Sequence, residues 1–208
     1  HQRRHKSIKL RQQILTRQAL QPPQSARTQM LFAYGAAALE AASLAHRLFG
    51  LYRTFLAVDR NHHALVRTCE DRSHGTPVRV VPLANKYPQG HPALLTATIA
   101  RRHPSVRSAS PRGAVAVLDV ADLVDLARAL RGEPLTHRLV SVAGEIVRQP
   151  GNYRIPLGMA IGEVLARVGV RGSACAIAVN GLLSGPLVHG EDAVVSRGGF
   201  ALLPGLPA

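Results

Sequence analysis

The sequence predicts an α/β chain, a parallel strand–helix–strand domain followed by a small β-grasp domain, and three observations carry that expectation. Two apolar runs, YRTFLAV (52–58) and VRVVPL (78–83), flank a polar helix-like stretch over 61–70, the order of a right-handed parallel unit. After Pro134 the texture changes to RLVSVAGEIVRQPGNYRIPL (138–157), two strand-like runs around the turn residues Gln149-Pro150-Gly151-Asn152. A short helical pattern, MAIGEVLARVGV (159–170), and the glycine-separated runs CAIAVNG, GPLVHG and FALLP complete a hairpin–helix–strands order. A domain boundary is expected near 134–137.

The other elements follow from local chemistry. Residues 1–20 mix charge and amide with Ile8, Leu10, Ile14 and Leu15, a weak helical pattern, and QPPQSART (21–28) reads as a linker. Residues 1–29 thus read as a basic N-terminal arm and linker. From Met30 to Phe49 apolar residues recur at helical spacing, and Gly50 closes the run as a C-terminal cap does. Asp59 and Asn61 can cap the helix over 61–70, and RSHGTP is a turn. Pro92 to Arg101 is a further helix, followed by an irregular basic loop, RRHPSVRSASPRG (101–113). AVAVLDV (114–120) is a strand. ADLVDLARALRG (121–132) is an amphipathic helix capped by Asp119 or Asp122 and ended by Gly132 and Pro134.

Composition narrows the function classes. With 208 residues, 46% of them hydrophobic, the chain can bury a sizeable core. No run of about 18 apolar, uncharged residues exists, so no transmembrane helix is expected. Cys69 and Cys175 lie far apart, in no metal-ligand spacing, which speaks against a disulfide framework or a Cys-ligated cluster within these residues and fits a cytoplasmic setting. The first residue is His1, and a processed or truncated N-terminus is the simpler expectation. The net charge is +14, and residues 1–30 carry Arg3, Arg4, Lys6, Lys9, Arg11, Arg17 and Arg27 with no acid before Glu40. Such a segment can meet nucleic acid, an anionic membrane surface or an acidic partner. Only 4% of residues are aromatic and no nucleic-acid-binding signature is present, so nucleic acid is not the expected partner.

The stretch that calls for chemistry is KYPQG (86–90), at the carboxyl end of a parallel strand, the edge where open α/β sheets hold ligands. A cation, an aromatic ring, an amide and a glycine together suit a planar, phosphate-bearing ligand. A plain βα turn is the competing reading. His91 and the His62–His63 pair read as exposed turn residues, Cys69 as a packed helix residue, and Asp119 with Asp122 as a helix cap. No nucleophile–base constellation for hydrolysis and no catalytic or metal-ligating set is evident.

Several ordered pieces resemble the C subunit of the Rnf electron-transport complex and the related complex I flavoprotein subunit. They are VDRN (58–61), VVPLANKYPQG (80–90), the segment 115–158 with its RGEPL connector and V-x-G-E…PGNY…PLG pattern, and SGPLVHGEDAVVSRGGFALLP (184–204). The resemblance covers roughly residues 30–204. It implies a Rossmann-like flavin/NADH domain over 30–134 and a soluble-ligand-binding (SLBB) β-grasp domain over 135–208. It also implies an electron-transfer subunit that takes a hydride from NADH onto FMN and passes electrons to iron–sulfur clusters. Its partners would be other subunits of a membrane-bound electron-transport complex or an iron–sulfur protein. Its place would be cytoplasmic, on the inner face of the membrane.

By resemblance the crevice residues are Asp59, Asn61, Lys86, Tyr87, Gln89, Gly90 and Asp119. Tyr87 would lie near the ring, and Gly90 would admit backbone amides. The chain departs from the family pattern in several places. No Gly-Arg-Gly-Gly-Ala-Gly-Phe-Pro-type loop and no Cys-x-x-Cys-x-x-Cys cluster occur in the 208 residues, and His91-Pro92 stands where the family has glycine and glutamate. Asp119 stands where the family has asparagine, exchanging an amide donor for a negative charge. These departures support an alternative, a non-catalytic assembly or docking relative that has lost the flavin site.

Overall fold

The structure, a computed structural model, describes residues 13–17, 25–84, 86, 89–109, 115–172, 176–180, 185–188, 193–199 and 201–206. In chain order the elements are β1 (Gln13–Arg17), α1 (Ser25–Leu48), β2 (Arg53–Asp59), α2 (His63–Ser73), β3 (Val78–Leu83), α3 (Pro92–Arg102), α4 (Pro104–Ala109), β4 (Val115–Asp119) and α5 (Val120–Leu130). There follow β5 (His137–Val142), β6 (Gly151–Pro156), α6 (Ile161–Val168), β7 (Ala176–Val179), β8 (Leu187–Val188) and β9 (Ala201–Leu206).

The first sheet has the order β3-β2-β1-β4, and each of its pairings is parallel. This is the doubly wound, Rossmann-like arrangement. The chain moves outward from β1 to β3, then crosses back over the sheet through α3 and α4 to place β4 on the other side of β1. The strand alternation explains the two layers. Leu56, Val58 and Val78 face α1, α2 and α5, in a core with Leu31, Leu39, Leu65 and Leu123. Phe55, Ala57, Val81 and Leu83 face α3 and α4, against Leu95, Ile99 and Val106. Small residues on α1, among them Ala38, Ala41, Ala42 and Ala45, are buried and allow close packing of helices and sheet. Gly50, at φ +57°, turns the chain out of α1 toward β2.

The second sheet has the order β6-β5-β9-β7-β8, with α6 packed on it. The β5–β6 and β7–β9 pairings are antiparallel and β5–β9 is parallel, the mixed sheet of a β-grasp fold. Gly144 has φ +140°, and a Cβ there would stand 2.9 Å from the Pro204 carbonyl oxygen. The V-x-G-E segment therefore needs glycine to pass β9.

Three local expectations change. The weak helical pattern over 1–20 gives way to strand at Gln13–Arg17, which lies inside the sheet between β2 and β4, where the sequence suggested an arm and linker. Hydrogen bonding on both sides outweighs a weak local preference. Ser25–Thr28, expected in the linker, form the first turn of α1. The basic loop expected over 101–113 contains α4, which starts at Pro104, where a proline costs a helix no hydrogen bond.

The two sheets meet through a charged contact. Arg138, at the start of β5, is 2% exposed and forms an ion pair with Asp125 of α5, itself 8% exposed. The Arg138 Nε–H also donates to the Arg197 carbonyl oxygen at 2.8 Å.

Candidate functional site at the carboxyl edge

The parallel strands end together, and the register fixes what stands at that edge. Asp59 pairs with Leu83, and Asp119 pairs with Arg17. The carboxyl ends of β3, β2, β1 and β4 thus bring Lys86, Gln89 and Gly90 of the KYPQG motif, the Asp59–Asn61 turn and Asp119 to one side of the molecule, across roughly three strand spacings of about 4.8 Å. The winding reverses between β1 and β4, so the crevice of an open α/β sheet lies beside Asp119.

Each described site residue has a defined environment. The Asp59 carboxylate is buried, and its Oδ1 accepts from the Asn61 backbone N–H at 2.9 Å while His62 Nε2 lies 3.9 Å from Oδ2. Asp59 thereby shapes the turn that leads into α2, and the Asn61 side chain is exposed. The cap itself is His62, without a side-chain bond. Asp119 is buried at the start of α5. Its Oδ1 accepts from Ala121 N–H, and Asp122 accepts from the Asp119 N–H, both at 3.1 Å, a reciprocal capping box.

Lys86 is exposed just past β3, and its carbonyl oxygen accepts from the Gln89 N–H at 2.6 Å. The Gln89 side-chain amide donates to the Thr98 hydroxyl on α3 at 2.8 Å, and Gly90 is buried. Tyr87, Pro88 and Asn85 lie outside the described residues.

Two features at this edge were not singled out from the sequence. Thr98 pins the KYPQG turn to α3, and nothing in its spacing marks it from other helix residues. A cleft of about 330 Å³ runs from the first turn of α3 along the face of β4 toward its amino end, lined by Pro92, Ala93, Thr96, Val115 and Val117. α3 begins there with no side-chain cap on His91 and no acid in its first turn, so its positive helix end is uncompensated within that turn. Cys69, in α2, is buried, and that burial pushes its thiol up to about 11, so it packs as an apolar group.

With this geometry in place, comparisons with known proteins locate the chain. A family model for the SLBB domain matches residues 139–169, within the second sheet and α6. The C subunit of the ion-translocating oxidoreductase complex of Rhodobacter capsulatus is 28% identical over 126 residues, 59% of this chain and 24% of that protein. The C subunit of the proton-translocating ferredoxin:NAD(+) oxidoreductase complex of Clostridium ljungdahlii is 28% identical over 54% of this chain and 25% of that protein. The Klebsiella pneumoniae ion-translocating C subunit is 33% identical over 56% of the chain and 15% of that protein. Over those stretches the chain is similar to Rnf-type C subunits, and it carries an SLBB-domain match.

The matches span about a quarter or less of these relatives' length. A chain of an NAD+-reducing NiFe-hydrogenase, in its H2-reduced and air-oxidized states, superposes with a TM-score of 0.67 over 93% of this chain and 40% of that one. At 18% identity that likeness shows the α/β fold alone.

Proposed function

We propose that this chain is an electron-transfer component of an NADH-linked complex and that its carboxyl edge is the flavin–nicotinamide crevice. The observation that carries this reading is the meeting of the KYPQG motif and the uncapped start of α3 on one sheet edge, with an apolar cleft running from that start along β4. When bound, FMN would supply the step from hydride to single electrons.

The residues suit such a ligand in different ways. The cleft of Pro92, Ala93, Val115 and Val117 offers apolar walls to a planar ring, with Thr96 as its polar group. Lys86 and the first turn of α3 offset negative charge, and Asn61 is free to meet polar groups. Asp59 and Gln89 hold the two turns in register, and Asp119 fixes the start of α5. Tyr87 and Gly90 belong to the same proposal through the KYPQG motif. The electron acceptor would be an iron–sulfur protein or cluster-bearing segment, and the setting a peripheral one beside the membrane subunits.

A second reading has its own observation. The capping box occupies amides at the start of α5 and places two carboxylates beside the switch point, which disfavours a phosphate there. That favours a relative that assembles or docks without flavin.

Titration of the purified chain with FMN, followed by flavin fluorescence, separates the two. Saturable quenching that Lys86→Ala and Tyr87→Ala weaken supports the crevice, and reduction by NADH is then the next measurement. Absence of quenching at tens of micromolar in a folded chain would leave the docking reading.

A further inference from the structure

The opposite, amino edge of the parallel sheet has a character of its own. The helices that join parallel strands run back against them, so α1, α2 and α3 all end at this edge. It therefore gathers Leu48–Arg53, Arg72–Val78 and Arg102–Pro104. Leu48 and Phe49, in the turn that leaves α1, are 69% and 64% exposed, and Tyr52 is 43% exposed. Isolated exposed apolar residues are ordinary, but three within five positions around one turn are a patch.

Arginines stand near that turn on both layers. On the α1–α2 layer, Arg47 adjoins the turn and lines a cleft of about 470 Å³ with Ser43, Thr76 and Arg72, whose guanidinium lies farther back against Gly35 of α1. On the α3–α4 layer, Arg53 and Arg79 share the strand face of Phe55 and Val81 and flank His103, whose ring lies 4.7 Å from that of Phe55. Arg79, Arg53 and Arg102 add to the burial that holds the His103 imidazole below its usual range. Among the described residues none of Arg47, Arg53, Arg72, Arg79 and Arg102 forms an ion pair. The nearby acids are few. Glu40, at the rim of the cleft, pairs with Arg131 at 3.3 Å, and Glu70 and Asp71 lie exposed on α2.

We propose that this edge docks on an anionic lipid bilayer, the Leu48–Phe49 turn entering the headgroup layer and the arginines on either side meeting lipid phosphates. Charge complementarity and the placing of cations on both layers favour this occupant. An acidic protein pocket would meet one face, whereas Arg47 on one layer and Arg53, Arg79 and Arg102 on the other stand on both sides of the exposed apolar turn, as a planar anionic surface requires. Tyr52 stands where an amphipathic ring suits the headgroup level. The surface is on the other side of the sheet from the flavin crevice, so the two proposals stand or fall separately.

The chain contains no tryptophan, so Phe49→Trp provides a single reporter. The full chain is mixed with phosphatidylglycerol–phosphatidylcholine vesicles and with phosphatidylcholine vesicles, and co-sedimentation is read with Trp emission. The expected result is binding to the anionic vesicles alone, weakened by salt, with a blue shift of the reporter. An arginine at an anionic surface strengthens binding about fivefold, so Arg53→Glu/Arg79→Glu should weaken it by more than about twentyfold. Leu48→Ser/Phe49→Ser should abolish stable binding, while Leu187→Ser, at an exposed site on β8, leaves it unchanged. Circular dichroism confirms that each variant folds.

Three results would overturn the proposal. One is equal binding to both kinds of vesicle. The second is anionic binding that neither double variant alters, which would assign it to basic residues elsewhere. The third is capture by an acidic protein or nucleic-acid duplex with no affinity for vesicles.

Discussion

The two edges of the parallel sheet differ in how their charged and polar side chains are bonded. At the carboxyl edge the polar side chains are tied into their own turns: Asp59 to the Asn61 amide, Asp119 and Asp122 to each other's backbone, Gln89 to Thr98. At the amino edge Arg47, Arg53, Arg72, Arg79 and Arg102 have no acidic partner among the described residues. Polar groups tied locally make a rigid rim that can frame a ligand. Cations left to solvent contribute little to folding and remain available to a partner. Between these extremes stands the Asp125–Arg138 pair, where acid and base meet in the interior at the junction of the two sheets.

That pair gives the largest expected effect. Asp125→Ala leaves a buried guanidinium without its carboxylate and should cost about 3–5 kcal/mol in urea unfolding followed by circular dichroism. Asp125→Leu combined with Arg138→Met removes both charges and should recover most of the loss. If the single variant costs nothing, the contact between the sheets carries no stability.

The rigid rim is tested next. Asp119→Ala removes the side-chain half of the α5 cap and should lower stability by about 1 kcal/mol, in the same unfolding measurement. Asp119→Asn should retain most of the cap. An effect as large as that of Asp125→Ala would mean that Asp119 does more than hold the turn.

The amino edge should show itself through pH. The His103 imidazole titrates below its ordinary value of 6.5, first through burial and then through Arg79, Arg53 and Arg102. The unfolded chain takes up that proton first on acidification, so the stability contribution is complete above pH 6.5 and is lost as pH falls below it toward the lowered folded value. Arg79→Ser should narrow that window by raising the folded value, which NMR titration of the His103 ring would detect. The smallest effect is expected from Arg102→Ser and Lys86→Ala, each within about 0.5 kcal/mol of the parent at neutral pH. A larger loss at either would break the contrast between tied and untied charge.

How much of this could be read from the sequence depended on how local the cause is. VRVVPL coincides with β3, and the Asp119/Asp122 cap and the proline start of α3 stand where residue chemistry put them. The helix pattern over 159–170 shortens to Ile161–Val168, and within GPLVHG the described residues form strand at Leu187–Val188, at the sheet edge. Of the candidate site, the sharing of one edge by Asp59, Lys86, Gln89 and Asp119 was legible from strand ends. The bond from Gln89 to Thr98 and the cleft between α3 and β4 were not, because each joins residues whose nearness depends on how a helix packs.

By itself the sequence determined the elements whose hydrogen bonds and caps lie within a few residues, and the motifs that ally the chain with Rnf-type C subunits. Tertiary structure decided the rest. QILTR is strand only because β2 and β4 bond to it from both sides. Asp125 and Arg138 become partners only when α5 packs against β5, and the amino-edge arginines gather only because three helices end on one side of a parallel sheet. Bonds between neighbours in the chain are written in local chemistry, whereas contacts between distant segments exist only after burial of the core has chosen which surfaces meet.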